Sequence, residues 1–110
     1  MSSTMTPAYF IVQIKAKSLD ELIQRYGNFA IPMLEKFDGQ MIAGTPAPQV
    51  VEGTWDGNWA AILRFSSLER AQAWYNSAEY QPLRELRINE LTEDGLIMLL
   101  EGMAPAAVTG

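Results

Sequence analysis

The chain has no cysteine and no histidine among its 110 residues. Without cysteine there is no disulfide, no thiolate metal site and no thiol nucleophile. Without histidine there is no imidazole base and no Ser-His-Asp triad. Zinc or iron would have to be held by carboxylates alone, which those metals seldom accept. Proton transfer is left to Asp, Glu, Lys, Tyr or a bound cofactor. No metal site and no cofactor is expected.

Basic residues are also few. Eight Lys and Arg stand against thirteen Asp and Glu, a net charge of −5, and the eight are scattered. A nucleic-acid surface needs a basic stripe to release counterions, so that class of partner is excluded. No apolar run reaches the ~20 residues that cross a bilayer. The opening Met1-Ser2-Ser3-Thr4-Met5-Thr6-Pro7 lacks both the basic and the apolar part of a signal peptide. A cytoplasmic protein with neither a nucleic-acid nor a membrane partner is therefore expected. What the chain does have is apolar content of 48% in one domain's length, enough for a core of its own.

The first element is a strand over Ala8–Lys15, with Phe10, Val12 and Ile14 on one face and Tyr9, Ile11, Gln13 and Lys15 on the other. Ser18-Leu19-Asp20-Glu21 is a capping box that opens a helix. Its apolar stripe is Leu22, Ile23, Tyr26, Ala30, Met33, Leu34 and Phe37. Pro32 predicts a kink or break near Gly27-Asn28, and Gly39 suits a left-handed C-terminal position. Gln40–Gly44 is a short strand, interrupted by Thr45-Pro46-Ala47-Pro48 and resumed as an extended path over Gln49–Glu52. Trp59–Phe65 is the third strand. A second helix opens at Ser66-Ser67-Leu68-Glu69, with Ser66 expected as its cap, and runs to about Asn76. A shorter helical piece covers Glu79–Ile88, and Gly95 opens a last strand, Leu96–Leu100.

The order β-α-β-β-α-β, with right-handed crossovers, predicts an α+β fold. It is a four-stranded antiparallel sheet with both helices on one face, the ferredoxin-like arrangement. A sheet covered on one side should be polar on the other. Strands one, three and four are instead apolar on both faces, and no third helix is available to cover them. A partner subunit packing sheet against sheet is the simplest answer.

Several motifs give the pattern a family likeness. They are Glu52-Gly53-Thr54-Trp55, the strand ending at Ser66, Trp74-Tyr75-Asn76-Ser77-Ala78-Glu79-Tyr80-Gln81 with Arg84 and Arg87 behind, and Leu99-Leu100-Glu101-Gly102. From about Ala8 to Gly102 the chain resembles the domain of unknown function 1330 family, in the dimeric α/β-barrel group of ferredoxin-like proteins. The resemblance implies a homodimer whose two sheets form a barrel. The domain is expected over 8–102, with flexible tails at 1–7 and 103–110. The resemblance implies no reaction. Arg64 departs from the pattern, since such sequences often place an acidic residue there.

The candidate ligand-binding residues are Tyr9, Arg64, Trp74, Tyr75, Tyr80 and Arg87. Arg64 lies in a strand between apolar neighbours. A buried guanidinium there needs a carboxylate, either internal (Glu52, Glu101 or a partner subunit) or a ligand's. Arg64 and Tyr80 are expected to share one pocket for a small organic anion. Trp74 and Tyr75 read first as core, and Ser77 as a cap for the following helix. Trp55 reads as a surface aromatic at a pocket mouth or on the partner. Arg84 and Arg87 read as solvated or paired with Glu85, Glu90 or Glu93. Two functions stay open: a metal-free enzyme acting on a small organic acid or aromatic metabolite in a helix–sheet cleft, and a non-catalytic small-molecule-binding or regulatory dimer. No catalytic residue is assigned.

Overall fold

A computed structural model describes residues 6–103 of the chain. The tails expected at either end lie almost wholly outside these residues. The strands are β1 (Ala8–Ala16), β2 (Gly39–Thr45), β3 (Trp59–Phe65) and β4 (Thr92–Glu101), and they form one sheet in the order β2-β3-β1-β4. Every neighbouring pair is antiparallel. All the helical segments lie against one face, so the ferredoxin-like α+β expectation holds.

The period-two alternation divides each strand between two environments. Ala8, Phe10, Val12, Ile14, Ala61, Leu63 and Phe65 are buried beneath the helices. On the other face the register sets up three rows across the sheet. Gln40, Arg64, Tyr9 and Leu100 form the first, Ala43, Ile62, Ile11 and Met98 the second, and Thr45, Ala60, Gln13 and Leu96 the third. Leu96, Met98 and Leu100 are each more than 40% exposed on this uncovered face. Ile42 has no opposite number on β3, because the register shifts between Met41 and Ala43.

The first helical region changes pitch along its length. It begins as α1 (Leu19–Leu22), widens into a π-helical turn over Ile23–Gly27, continues as α2 (Asn28–Met33) and tightens to a 3-10 turn over Leu34–Phe37. The cause is visible in the spacing of its core side chains. Leu22, Ala30 and Leu34 are buried and Tyr26 packs on the same core, so the row advances in steps of four. At 3.6 residues per turn a step of four drifts by about 40°. A wider turn removes that drift and keeps the row on the sheet, and the Asn28 N–H accordingly bonds Ile23 O, five residues back. The transition falls at Gly27-Asn28, where Pro32 leaves a carbonyl without its helical donor.

The second region repeats the device. After α3 (Leu68–Tyr75) come α4 (Gln81–Leu86) and a π-helical turn over Arg87–Leu91. Here Leu83, Arg87 and Leu91 are again four apart, with the last two buried.

Four local expectations are corrected. Asp38, not Gly39, takes the left-handed position, at φ 60°. Gly39 is needed for space instead, since a Cβ there would stand 2.4 Å from the Phe65 ring. Ser67 rather than Ser66 caps α3, its Oγ accepting from Arg70 N at 3.1 Å, while Ser66 Oγ donates to Asp38 at 3.3 Å. Gln49–Glu52 pairs with no strand, and Val51 and Glu52 are bends. β4 starts at Thr92, three residues before Gly95, because β1 extends to pair Ala16 with Thr92 across an irregularity. Ser18 caps α1 as expected, accepting from Glu21 N.

Candidate functional site

Between the sheet and the helices a narrow cavity of ≈ 80 Å³ is left unfilled. Its floor crosses all four strands, from Met41 on β2 through Leu63 and Phe10 to Ile97 on β4, and its roof includes Leu22, Ala30 and Trp74. Three inter-strand spacings make it about 14 Å long. A cavity that takes benzene measures ~150 Å³, so this one is a slot. Trp59, Trp74 and Met41 narrow it, and half-exposed Ile23 and Ile31 are among its lining residues.

One wall is polar. Tyr26, carried on the first π turn, meets Tyr80 with hydroxyl oxygens 2.5 Å apart. Tyr80 is fully buried, and its ring lies 4.3 Å from that of Trp74. Arg87, on the second π turn, stacks its guanidinium 5.9 Å from the Tyr26 ring centre and is only 5% exposed. Arg25 ties the two turns together, bonding Glu21 at 3.1 Å and Glu90 at 2.9 Å.

Burial holds the Tyr26 phenol well above its usual pKa; Tyr80 adds to the shift and Arg87 opposes it. For Arg87, burial alone acts downward, but the Tyr80 and Tyr26 hydroxyls outweigh it and the net shift is upward. Tyr26 is thus a neutral donor and Arg87 a cation at neutral pH. The Nε atoms of Trp74 and Arg87 are buried without a hydrogen-bond partner.

The loop between α3 and α4 fixes the aromatic cluster. Ser77 Oγ donates to Trp74 O at 2.8 Å and accepts from Tyr80 N at 3.2 Å. It closes the turn before α4 rather than the helix itself, which opens at Gln81. Gln81 Nε2 donates to Tyr75 O and Ser77 O at 2.8 and 3.0 Å. Arg84 Nε donates to the Tyr75 hydroxyl at 2.9 Å and lays its guanidinium 5.5 Å from that ring's centre.

Four of the six candidate residues therefore converge: Trp74, Tyr75 and Tyr80 line the cavity and Arg87 lies behind the tyrosine pair. Tyr9 and Arg64 do not join them. They face each other in register on the uncovered side of the sheet, and strand alternation puts that side away from Tyr80. Arg64 is exposed, not buried, and has no ion pair among the described residues. Within one protomer the expected pocket shared by Arg64 and Tyr80 does not form. Arg87, read as solvated or paired with a carboxylate, is instead buried against aromatic rings.

Tyr26 was missed as a site residue, because its place in an apolar stripe reads as packing. Its signal is a hydroxyl at a position facing the core, which needs a partner there. Two shallower depressions flank the cleft. One of ≈ 300 Å³ lies on the uncovered face between Gln13, Glu52 and Trp55, and the Trp55 ring packs on Gly57, where a Cβ would come within 2.3 Å. The other, of ≈ 270 Å³, lies at the β4 side between Phe10, Gln72, Tyr75, Asn76, Ile97 and Leu99. No cluster of three or more acidic groups suited to a metal ion occurs among the described residues. No helix among them is long and apolar enough to cross a membrane.

A ferredoxin-like sheet with an aromatic cleft beneath its helices defines the class of domain. The chain belongs to the family described as Domain of unknown function (DUF1330), which it matches over residues 7–103. A protein of unknown function from Rhodopseudomonas palustris is similar in structure, with TM-score 0.69 and 18% identity over 91% of this chain and 85% of its own. SnoaB, a cofactor-independent oxygenase from Streptomyces nogalater, is similar with TM-score 0.63 and 10% identity, over 94% and 99% of the two chains. A dimeric ferredoxin-like protein of unknown function from Thermobifida fusca gives 0.56 and 10%, over 92% and 95%. At these identities the likeness is one of fold. No curated protein matches the chain.

Proposed function

We propose that the chain forms a homodimer through the uncovered faces of its sheets and that each protomer binds a small, narrow aromatic or apolar molecule carrying a hydrogen-bond acceptor, with half-exposed Ile23 and Ile31 turning outward to widen the slot as the guest enters. The observation that carries the binding reading is an apolar slot with the Tyr26–Tyr80 hydroxyl pair on one wall, backed by buried Arg87. Of two paired hydroxyls one donates to the other, which leaves one O–H for a guest's carbonyl, carboxylate or phenolate. The cation behind the pair favours an acidic guest. Ring stacking against Trp74 and the apolar floor supplies the rest of the affinity.

A binding role fits this geometry better than proton abstraction. A general base must accept a proton near neutral pH, and Tyr26 is held protonated instead. A metal-free enzyme remains a second reading, supported by the fold shared with a cofactor-independent oxygenase. On that reading the substrate must ionise by itself, and the tyrosine pair with Arg87 stabilises the resulting anion.

The dimer reading is supported by the middle row of Ile62, Ile11 and Met98 and by dimeric relatives of the same fold. Met98→Asp is expected to split the dimer, measured by light scattering at micromolar concentration; a monomeric parent chain refutes the reading. For the cleft, titration with benzoate and salicylate is followed by the fluorescence of Trp59 and Trp74. Saturable quenching is expected in the parent and at least a tenfold weaker affinity in the double variant Tyr26→Phe/Tyr80→Phe, which has no hydroxyl left on that wall, the loss of about one charge-assisted hydrogen bond. Equal affinity in both forms would remove the tyrosine pair from the site.

A further inference from the structure

The cleft and the depression at the β4 side share three walls: Phe10, Ile97 and Tyr75. Phe10 is only 5% exposed, and Ile97 packs against the core from β4. Tyr75 is different. It sits in the last turn of α3, is partly exposed, and is attached at its tip to a side chain from another helix, Arg84. Its ring stands 5.6 Å from Phe10, 6.1 Å from Trp74 and 5.6 Å from Tyr80, measured between centres. It is therefore the movable part of a partition between the ≈ 80 Å³ cleft and the ≈ 270 Å³ depression.

We propose that Tyr75 is the specificity-determining gate of the cleft and that Arg84 is the positioning residue that holds it shut. With the gate closed the slot admits only short guests. With Tyr75 turned away, cleft and depression become one trough from β2 to beyond β4, with the amides of Gln72 and Asn76 at its outer end. Such a trough suits an elongated organic acid, with an apolar body along the sheet and a polar end among those amides. The length of the guest is then set by one side chain. The inference rests on the cleft being a binding site, as proposed above.

Arg84 makes the closed state a defined one. Its Nε–H bonds the phenol at 2.9 Å and its guanidinium carbon lies over the ring, 5.5 Å from the centre, so turning Tyr75 outward breaks both contacts together. Side-chain rotations of this kind need no backbone movement and proceed quickly. A long guest must offset the lost contacts with its own, whereas a short guest leaves them intact. The site thus discriminates by length before the guest has made its contacts.

The test compares benzoate with 4-phenylbutyrate, three methylenes longer, on the full-length parent chain, Tyr75→Ala, Tyr75→Phe and Arg84→Met. Each methylene admitted to apolar space is worth about a factor of four in affinity. Tyr75→Ala is expected to shift the affinity ratio toward 4-phenylbutyrate by at least about tenfold. Tyr75→Phe and Arg84→Met keep the bulk of the wall and guard against misfolding of the alanine variant. Both should speed association of the long acid and raise acrylamide quenching of the tryptophans without ligand. If both acids bind and the ratio stays constant across all forms, the gate is refuted while the binding site stands. If neither acid binds any form, the binding site fails and the gate with it.

Discussion

Replacing Tyr26 by Phe removes one hydroxyl and leaves the other, on Tyr80, buried with nothing to bond. Tyr80 is 1% exposed, so the orphaned group is withdrawn from bulk water and faces only the slot. Leaving a buried polar group unpaired costs about 1–3 kcal/mol, whereas replacing both partners by apolar groups of the same shape is close to neutral. Tyr80→Phe strands the Tyr26 hydroxyl in turn. The double variant should therefore be no less stable than the worse single one, a coupling of roughly 1–2 kcal/mol between residues 54 positions apart in the chain. In thermal terms the single variants should melt about 4–8 °C below the parent for each kcal/mol lost. Urea denaturation followed by far-ultraviolet circular dichroism, at one fixed protein concentration, reads all four forms. Losses that add to within about 0.5 kcal/mol refute the pairing, because contacts that share no partner are additive.

Alkaline pH tests the same pair from another side. The Tyr26 pKa is higher in the folded than in the unfolded chain, so above pH ~10 the unfolded state has fewer protons and gains ground. The stability this group contributes is complete below that pH and declines above it, by up to ~1.4 kcal/mol per unit. Tyr26→Phe should show a flatter urea midpoint between pH 9 and 11, and parallel curves contradict the assignment. Ser67→Ala should lose about 0.5–2 kcal/mol as a helix cap while Ser66→Ala loses far less; equal losses in denaturation reverse the corrected assignment. Gly39→Ala forces a Cβ into the Phe65 ring and should cost about 1–3 kcal/mol, as overpacking does. An unchanged melting temperature would show that the ring moves freely.

The sheet was readable because its signals are local. Alternation along Ala8–Lys15 and Trp59–Phe65 assigned each residue a face, and the apolar character of both faces pointed to a covering layer. Boundaries set by pairing were less readable: Thr92-Glu93-Asp94 is polar and joins β4 only because β1 lies beside it. The Ser66-Ser67 ambiguity is a single-residue choice that only tertiary packing resolves. The site was legible in part. Trp74, Tyr75 and Tyr80 were singled out by their density in the chain. Arg64 misled, because a cation among apolar residues in a strand suggests burial, whereas this face is uncovered within the protomer. Arg87 and Tyr26 could be brought together only by knowing where two helical regions cross.

The two π turns carry a consequence for how this chain tolerates changes in length. Each accommodates a row of core side chains spaced by four. Deleting one residue from Ile23–Gly27 would shorten the Leu22–Ala30 spacing from eight to seven, and at ordinary pitch seven residues turn about 700°, within ~20° of two full turns. Leu22, Ala30 and Leu34 would therefore all keep their side of the helix. The same deletion within Arg87–Leu91 would leave Leu83 and Leu91 seven apart and in phase. An added residue is different: a spacing of nine turns about 900° and puts the two ends on opposite faces. These two segments can lose a residue and keep their core, but they have already taken in the one extra residue the helix can absorb.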